Sequence, residues 1–82
     1  MTHELKTIQP FFDDVWTGKK SFEIRKADRP FASGDLLILQ EWNGEEFTGQ
    51  EIWAEVGYIC SLAPILPDYV GMGIWVNRKV KK

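Results

Sequence analysis

The sequence predicts a mostly β fold of the α+β class: a small mixed or antiparallel β-barrel, one short N-terminal helix, and a cleft between the two. Three observations carry this. Apolar residues alternate with period two in several short segments, Asn-Gly and Gly-Asp pairs punctuate them, and a helical stripe occurs once, near the start. With 82 residues the chain is read as one domain, 1–82, because domains usually run to roughly 100–200 residues. Apolar residues make up 44%, enough for one core, and the charged share of 27% is that of a folded chain. Trp16, Trp42, Trp53 and Trp75 add large buried area per residue, which a short chain needs.

The elements follow in order. His3 to Ile8, with Leu5 and Ile8 apolar, reads as a first strand. Pro10 suits a first helical turn, where its missing N–H costs nothing. Phe11, Phe12, Val15 and Trp16 then form one stripe opposite Asp13 and Asp14, and Gly18 stops the helix, which spans Pro10 to Thr17. Ser21 to Arg25 alternates, with Phe22 and Ile24 on one face and Ser21, Glu23 and Arg25 on the other. Pro30 and Gly34-Asp35 bracket a loop. Leu36 to Trp42 is apolar on both faces, as in a covered or closed sheet. Asn43-Gly44 marks a tight turn. Gln50 to Cys60 returns, with Ile52, Ala54, Val56, Tyr58 and Cys60 on one face. Pro64 and Pro67 make Leu62 to Asp68 a surface loop, and Tyr69 to Val76 closes the fold. Val70, Met72, Ile74 and Val76 alternate there with Gly71, Gly73 and Trp75, so the glycine side admits another backbone or a ligand.

Cys60 is the sole cysteine, which excludes an internal disulfide. One cysteine and His3 also cannot supply a structural zinc site, so neither metal nor cofactor is expected. No basic start with an apolar run opens the chain, and Leu36 to Leu39 is too short to cross a bilayer. The expected location is cytoplasmic, without membrane contact. The net charge of −2 hides a polarity. Lys19, Lys20, Arg25, Lys26 and Arg29 cluster together, an acidic stretch without a base runs from Leu36 to Tyr69, and Arg78, Lys79, Lys81 and Lys82 end the chain.

Within the basic cluster, Gly18-Lys19-Lys20-Ser21-Phe22-Glu23-Ile24-Arg25 reads as a helix end, a glycine turn and a strand. Glu23 and Arg25 stand two apart on one face, with Lys20 at the strand's start. A lysine, an arginine and a carboxylate converging at a rim can hold a phosphate or ribose and read the polar edge of a base. The bland alternative is a surface ion pair worth about 0–1 kcal/mol.

These residues form Gly18-x-Lys20-x-x-Glu23-x-Arg25, which resembles the G-x-K-x-x-E-x-R signature of ASCH domains in the PUA-like class. Similarity extends to His3-Glu4-Leu5-Lys6, Pro10-Phe11-Phe12, Phe31-x-x-Gly34-Asp35 and Tyr69-Val70-x-x-Gly73-Ile74, in the family's order. The resemblance implies a PUA-like barrel of five or six strands with an intervening helix, and a cleft into which Lys20, Glu23 and Arg25 point. It implies RNA or a modified nucleoside as ligand. Some ASCH-like proteins deacylate N4-acetylcytidine with a lysine at the place of Lys20 and a threonine at the place of Glu23; here that hydroxyl is replaced by a carboxylate.

Three functions are therefore weighed. The first is binding of RNA or a nucleotide through Gly18, Lys19, Lys20, Ser21, Glu23, Arg25 and Arg29. The second is a small amidohydrolase acting on an acylated nucleoside with Lys20 and Glu23, and the third is a protein-interaction module. A monomer or weak homodimer is expected. Trp42 and Trp53 are read as capping the core, with base stacking the alternative. Cys60 is read as a buried small hydrophobe and His3 as an exposed strand-end residue. Thr17 is assigned to the helix end, and Ser21 beside Lys20 makes an unspecific nucleophilic pair. The strand alternation places Glu23 and Arg25 on the cleft side, Arg25 held by Glu23, and Phe22 and Ile24 in the core.

Overall fold

A computed structural model describes residues 1–82. Its elements are β1 (Thr2–Ile8), α1 (Phe11–Trp16), β2 (Phe22–Lys26), β3 (Leu36–Trp42), β4 (Phe47–Ser61) and β5 (Tyr69–Val80). The strands form one sheet in the order β1-β3-β4-β5-β2. Only β1 and β3 run parallel; the other pairs are antiparallel. The sheet curls into a half-barrel around one short helix rather than closing by a ladder, so β1 and β2 remain edges that approach each other. No helix is long and apolar enough to cross a membrane.

The concave side holds the core. Leu5, Leu37, Leu39, Ile52, Ala54, Val56, Met72 and Ile74 point inward from their strands, and α1 seals them with Phe12 and Val15. Phe11 and Phe12 show why only half of an apolar doublet can be core. Neighbours on a helix point about 100° apart, so Phe12 is fully buried and Phe11 is turned outward. The turn after β3 spans residues 43–46, with the Asn43 side-chain carbonyl accepting from the Glu45 and Glu46 N–H groups at 2.8 and 2.9 Å.

Two expected patterns change along the long hairpin. The β4–β5 register shifts between Val56 and Ile59. The inward face therefore ends at Val56: Ile59 packs against the core, and Tyr58 is 76% exposed. A bulge rotates the strand, so the alternation predicted through Tyr58 and Cys60 breaks there. A second shift beside Trp53 and Ala54 leaves Val76 exposed. Trp42 and Trp53 lie half-buried outside the core, Trp42 against Phe47 and Lys6, Trp53 against Arg78. Cys60 is half-buried rather than buried.

The largest correction at the amino end concerns His3. It is 4% exposed, and its Nε2 lies 2.8 Å from Asp35 Oδ2, with the ring against Phe31. In β1 the inward positions are His3, Leu5 and Thr7, so a histidine placed near a terminus still takes an interior position. Asp35 also accepts from the N-terminal ammonium at 3.1 Å and from the Ala32 N–H at 3.0 Å. The His3 hydrogen bond, opposed by burial and aided by the ammonium and the Ala32 N–H, draws the Asp35 carboxyl from 3.8 down to about 2.

Two predictions follow from this packing. Phe12→Ala should cost about 3–5 kcal/mol in urea denaturation, as truncating a buried ring does. A carboxyl with a depressed value contributes stability above its unfolded value and loses it as pH falls through the folded one. Asp35 should therefore stabilise fully above pH 3.8 and lose its contribution down to about 2. Urea midpoints measured across that window should fall less steeply in Asp35→Asn.

Candidate functional site: the seam between the sheet edges

The open side of the half-barrel is where charge has been placed inside. β2 alternates as its sequence predicts, but with the faces reversed. Phe22 and Ile24 are 48% and 47% exposed, whereas Glu23 is 2% exposed and points to the concave side opposite Met72 on β5. The expectation that Phe22 and Ile24 fill the core is wrong. Beside an unclosed edge the interior wall has no ladder partner, so polar side chains that can reach across are favoured there over apolar ones.

Glu23 is held by two cations. Lys20 Nζ donates to its Oε2 at 2.5 Å, and Arg25 Nε and Nη2 converge on its Oε1 at 3.0 and 2.9 Å. Arg25 then spans the gap. Its Nη1 donates to the Lys6 carbonyl of β1 at 3.1 Å and its Nη2 to Thr7 Oγ1 at 3.2 Å. Further along the seam, Arg29 Nη1 reaches the Glu4 carbonyl at 3.4 Å. Two guanidinium groups thus take carbonyls that a neighbouring strand would otherwise satisfy. Every buried side-chain nitrogen and oxygen has a partner.

Gly18 sets where Lys20 sits. With φ of 86° it occupies left-handed space, which a residue carrying a Cβ enters only at a cost. The chain reverses there, and the Lys20 N–H returns to the Asp14 carbonyl at 2.9 Å. Lys20 is thereby carried off the end of α1 and over the cleft, its ammonium 5.6 Å from the Phe11 ring and 5.2 Å from the Phe22 ring.

A cleft of about 640 Å³ opens between β1, α1 and β2. Lys20, Glu23 and Arg25 form its polar wall; Ile8, Phe11, Phe22 and Ile24 form its apolar one, with Lys6, Thr7 and Asp14 at the margins. Of the predicted residues, Lys20, Glu23 and Arg25 are brought together. Lys19 is exposed beside the cleft. Ser21 is exposed too, and only its carbonyl is used, accepting from the Ile74 N–H at 3.0 Å. Arg29 lines a neighbouring hollow of about 200 Å³ instead, 5.9 Å from the Phe31 ring. Sequence reasoning missed the two rings and Thr7 as cleft residues. The doublet Phe11-Phe12 held a signal for one ring; nothing local marked Thr7. No group of three or more His, Cys, Asp or Glu side chains is placed to hold a metal ion.

The cluster carries one net positive charge with hydrogen-bonding capacity to spare. Beyond the bonds described, Lys20 keeps two N–H donors and Arg25 one on Nη1. Chemically it is a cationic patch beside an apolar, ring-lined wall.

Comparison with known proteins fits this chain into one group. Residues 2–74 match the family described as "Domain of unknown function (DUF3850)", a span that contains the whole cleft. The chain belongs to the DUF3850 family. Within curated proteins, this DUF3850 domain is 44% identical over 68 residues to an uncharacterised 12.9 kDa protein in the GpA 3′ region of Escherichia phage P2. That match covers 83% of the chain and 62% of the phage protein's length.

Removing Glu23 tests the role of the seam. Glu23→Ala leaves Lys20 and Arg25 without their shared partner, at 18% and 24% side-chain exposure. Breaking a buried pair costs about 3–5 kcal/mol, and partial exposure of the cations should bring this to about 2–3 kcal/mol. Chemical denaturation reads it, and Glu23→Ala combined with Arg25→Met should recover part of the loss.

Proposed function

We propose that this DUF3850 domain is an RNA- or nucleotide-binding module of ASCH-like, PUA-like type, acting in the cytoplasm, with the β1–α1–β2 cleft as its site. The observation that carries this reading is the pairing of two half-exposed rings, Phe11 and Phe22, with the Lys20 ammonium above both and a buried carboxylate behind it. A flat nucleobase gains from ring stacking, at roughly 1–3 kcal/mol per base. Lys20 and Arg25 supply donors for keto oxygens or a phosphate, and Glu23 orders both cations. The Gly18-x-Lys20-x-x-Glu23-x-Arg25 pattern supports the same family reading.

Hydrolysis of an acylated nucleoside has less support. The hydroxyl at the cleft, Thr7 Oγ1, donates to the Leu5 carbonyl at 3.3 Å and accepts from Arg25, and Ser21 is exposed. Neither is presented to a bound base as a nucleophile beside Lys20.

Isothermal titration with uridine and cytidine monophosphates at low salt tests the proposal. Binding should weaken by about 5- to 150-fold in Phe22→Ala, which is the stacking range expressed as affinity. Lys20→Gln should weaken it as well. Absence of binding at low salt, or binding that neither substitution touches, would overturn the reading. Incubation with N4-acetylcytidine should leave the acetyl group in place; release of cytidine would replace binding with catalysis.

A further inference from the structure

Lys79, Lys81 and Lys82 at the end of the sequence play no part in the cleft, and their position gives them a role. We infer that the cleft is one end of a longer path for a single-stranded polyanion, which leaves over the C-terminal end of α1 and follows the basic end of β5. This rests on the nucleotide-binding reading and extends it from a single base to a strand.

The path is set by contacts on either side of α1. Trp16, the last residue of the helix, is half-buried, and the Lys79 ammonium lies 5.7 Å from its ring. The same helix end turns through Thr17 and Gly18 into Lys19, which is exposed, and Lys20, which overhangs the cleft. The helix terminus is therefore flanked by Lys19 and Lys20 on one side and Lys79 on the other. Beyond Lys79, Lys81 and Lys82 are exposed, and the Lys82 stem lies against Gly49, where a Cβ would stand 2.7 Å from its Cδ. That contact steers the stem, leaving the charge free. Arg78 points to the other face, 5.2 Å from the Trp53 ring, and stays off the path.

The acids nearest this route are engaged by neighbours: Glu41 of β3 accepts from Thr48 Oγ1 at 2.7 Å and from Gln50 Nε2 at 2.9 Å. No acid occurs from Tyr69 to Lys82. Glu51, which pairs with Val80, accepts from the Trp53 indole N–H at 3.0 Å. Asp13 sits nearer the start of α1 and accepts from Gln9 at 3.0 Å, while Asp14 lines the cleft itself. Three of the last four carbonyls of the helix, which would repel an anion, are occupied: Asp13 by the Thr17 N–H and hydroxyl, Asp14 by the Lys20 N–H and Val15 by the Gly18 N–H. Lys19, Lys79, Lys81 and Lys82 form no salt bridge, and lysines of this kind beside a ring-lined slot are suited to phosphodiesters, which they neutralise with release of counterions.

Fluorescence anisotropy with labelled hexauridylate, read against uridine monophosphate by calorimetry, tests the path. The variant Lys79→Gln/Lys81→Gln/Lys82→Gln keeps much of each stem and removes three charges outside the cleft. With wild-type protein the hexamer should bind at least tenfold tighter than the monophosphate. In the variant this advantage should fall to within about threefold, and the log–log salt slope should drop by about 2, at about 0.7 per phosphate contact on a single strand. Monophosphate affinity should not change. Hexathymidylate should lose as much as hexauridylate, since the path reads phosphodiesters; tighter binding of the RNA in both proteins would identify the cleft as the reader of the sugar. Equal affinity for hexamer and monophosphate, or an unchanged slope in the variant, would overturn the path and leave the cleft reading intact. Failure of wild-type protein to bind either ligand would overturn both.

Discussion

A carboxylate with 2% exposure, held by two cations, is the interaction on which the rest of the seam depends. The five-stranded sheet has two free edges, and a half-barrel of this size leaves them facing each other. Free edges are places where other strands add and where buried backbone goes unpaired. Here the gap is spanned by side chains instead. Arg25 ties β2 to the β1 carbonyl and hydroxyl, Glu23 fixes Arg25, and Lys20 completes the neutralisation of Glu23. Isolated, any one of these charges would be costly on the concave side; together they satisfy one another.

The same arrangement produces the cleft. Because Glu23 and Arg25 turn inward, Phe22 and Ile24 must turn outward, and they stand beside Phe11 and Ile8 as an apolar wall. The ion cluster and the apolar wall of the cleft are thus one consequence of a single strand's orientation. Gly18 contributes from the other side, since its left-handed turn places Lys20 between the ring-lined wall and the carboxylate. On the seam, stability and the charge of the cleft draw on the same three residues, whereas Phe22 lies outside the ion cluster.

Much of the fold was legible in the sequence, and the failures have physical causes. Period-two alternation and the Asn43-Gly44 turn located the strands to within a few residues, and Pro10 and Gly18 bracketed α1. A polar–apolar alternation cannot say which face is inside when the strand lies at an open edge, so β2 was read with the wrong side inward. How far the sheet curls, and that it stops at a half-barrel with two facing edges, depends on long-range geometry that local patterns do not encode. The bulge after Val56 had one local sign, Gly57 inside a strand, which the period-two alternation through Tyr58 and Cys60 passed over. His3 was misplaced because its partner, Asp35, lies 32 positions away. In the cleft, the spacing of Lys20, Glu23 and Arg25 was readable, whereas Thr7 and Phe11 come from elements that only the fold brings alongside, and Phe22 was assigned to the wrong face.

The central claim is that Arg25 is a fixed bridge between β2 and β1 in the free protein. Hydrogen exchange at arginine Nε–H, followed by ¹⁵N NMR, tests it most directly, because Arg25 and Arg78 provide an internal comparison. Arg25 Nε–H donates to Glu23 within the seam, whereas Arg78 is exposed over the Trp53 ring. Arg25 should show a distinct, slowly exchanging Nε–H signal that collapses in Glu23→Gln, with Arg78 exchanging fast throughout. Arg25 exchanging as fast as Arg78 in the wild-type protein would contradict the account.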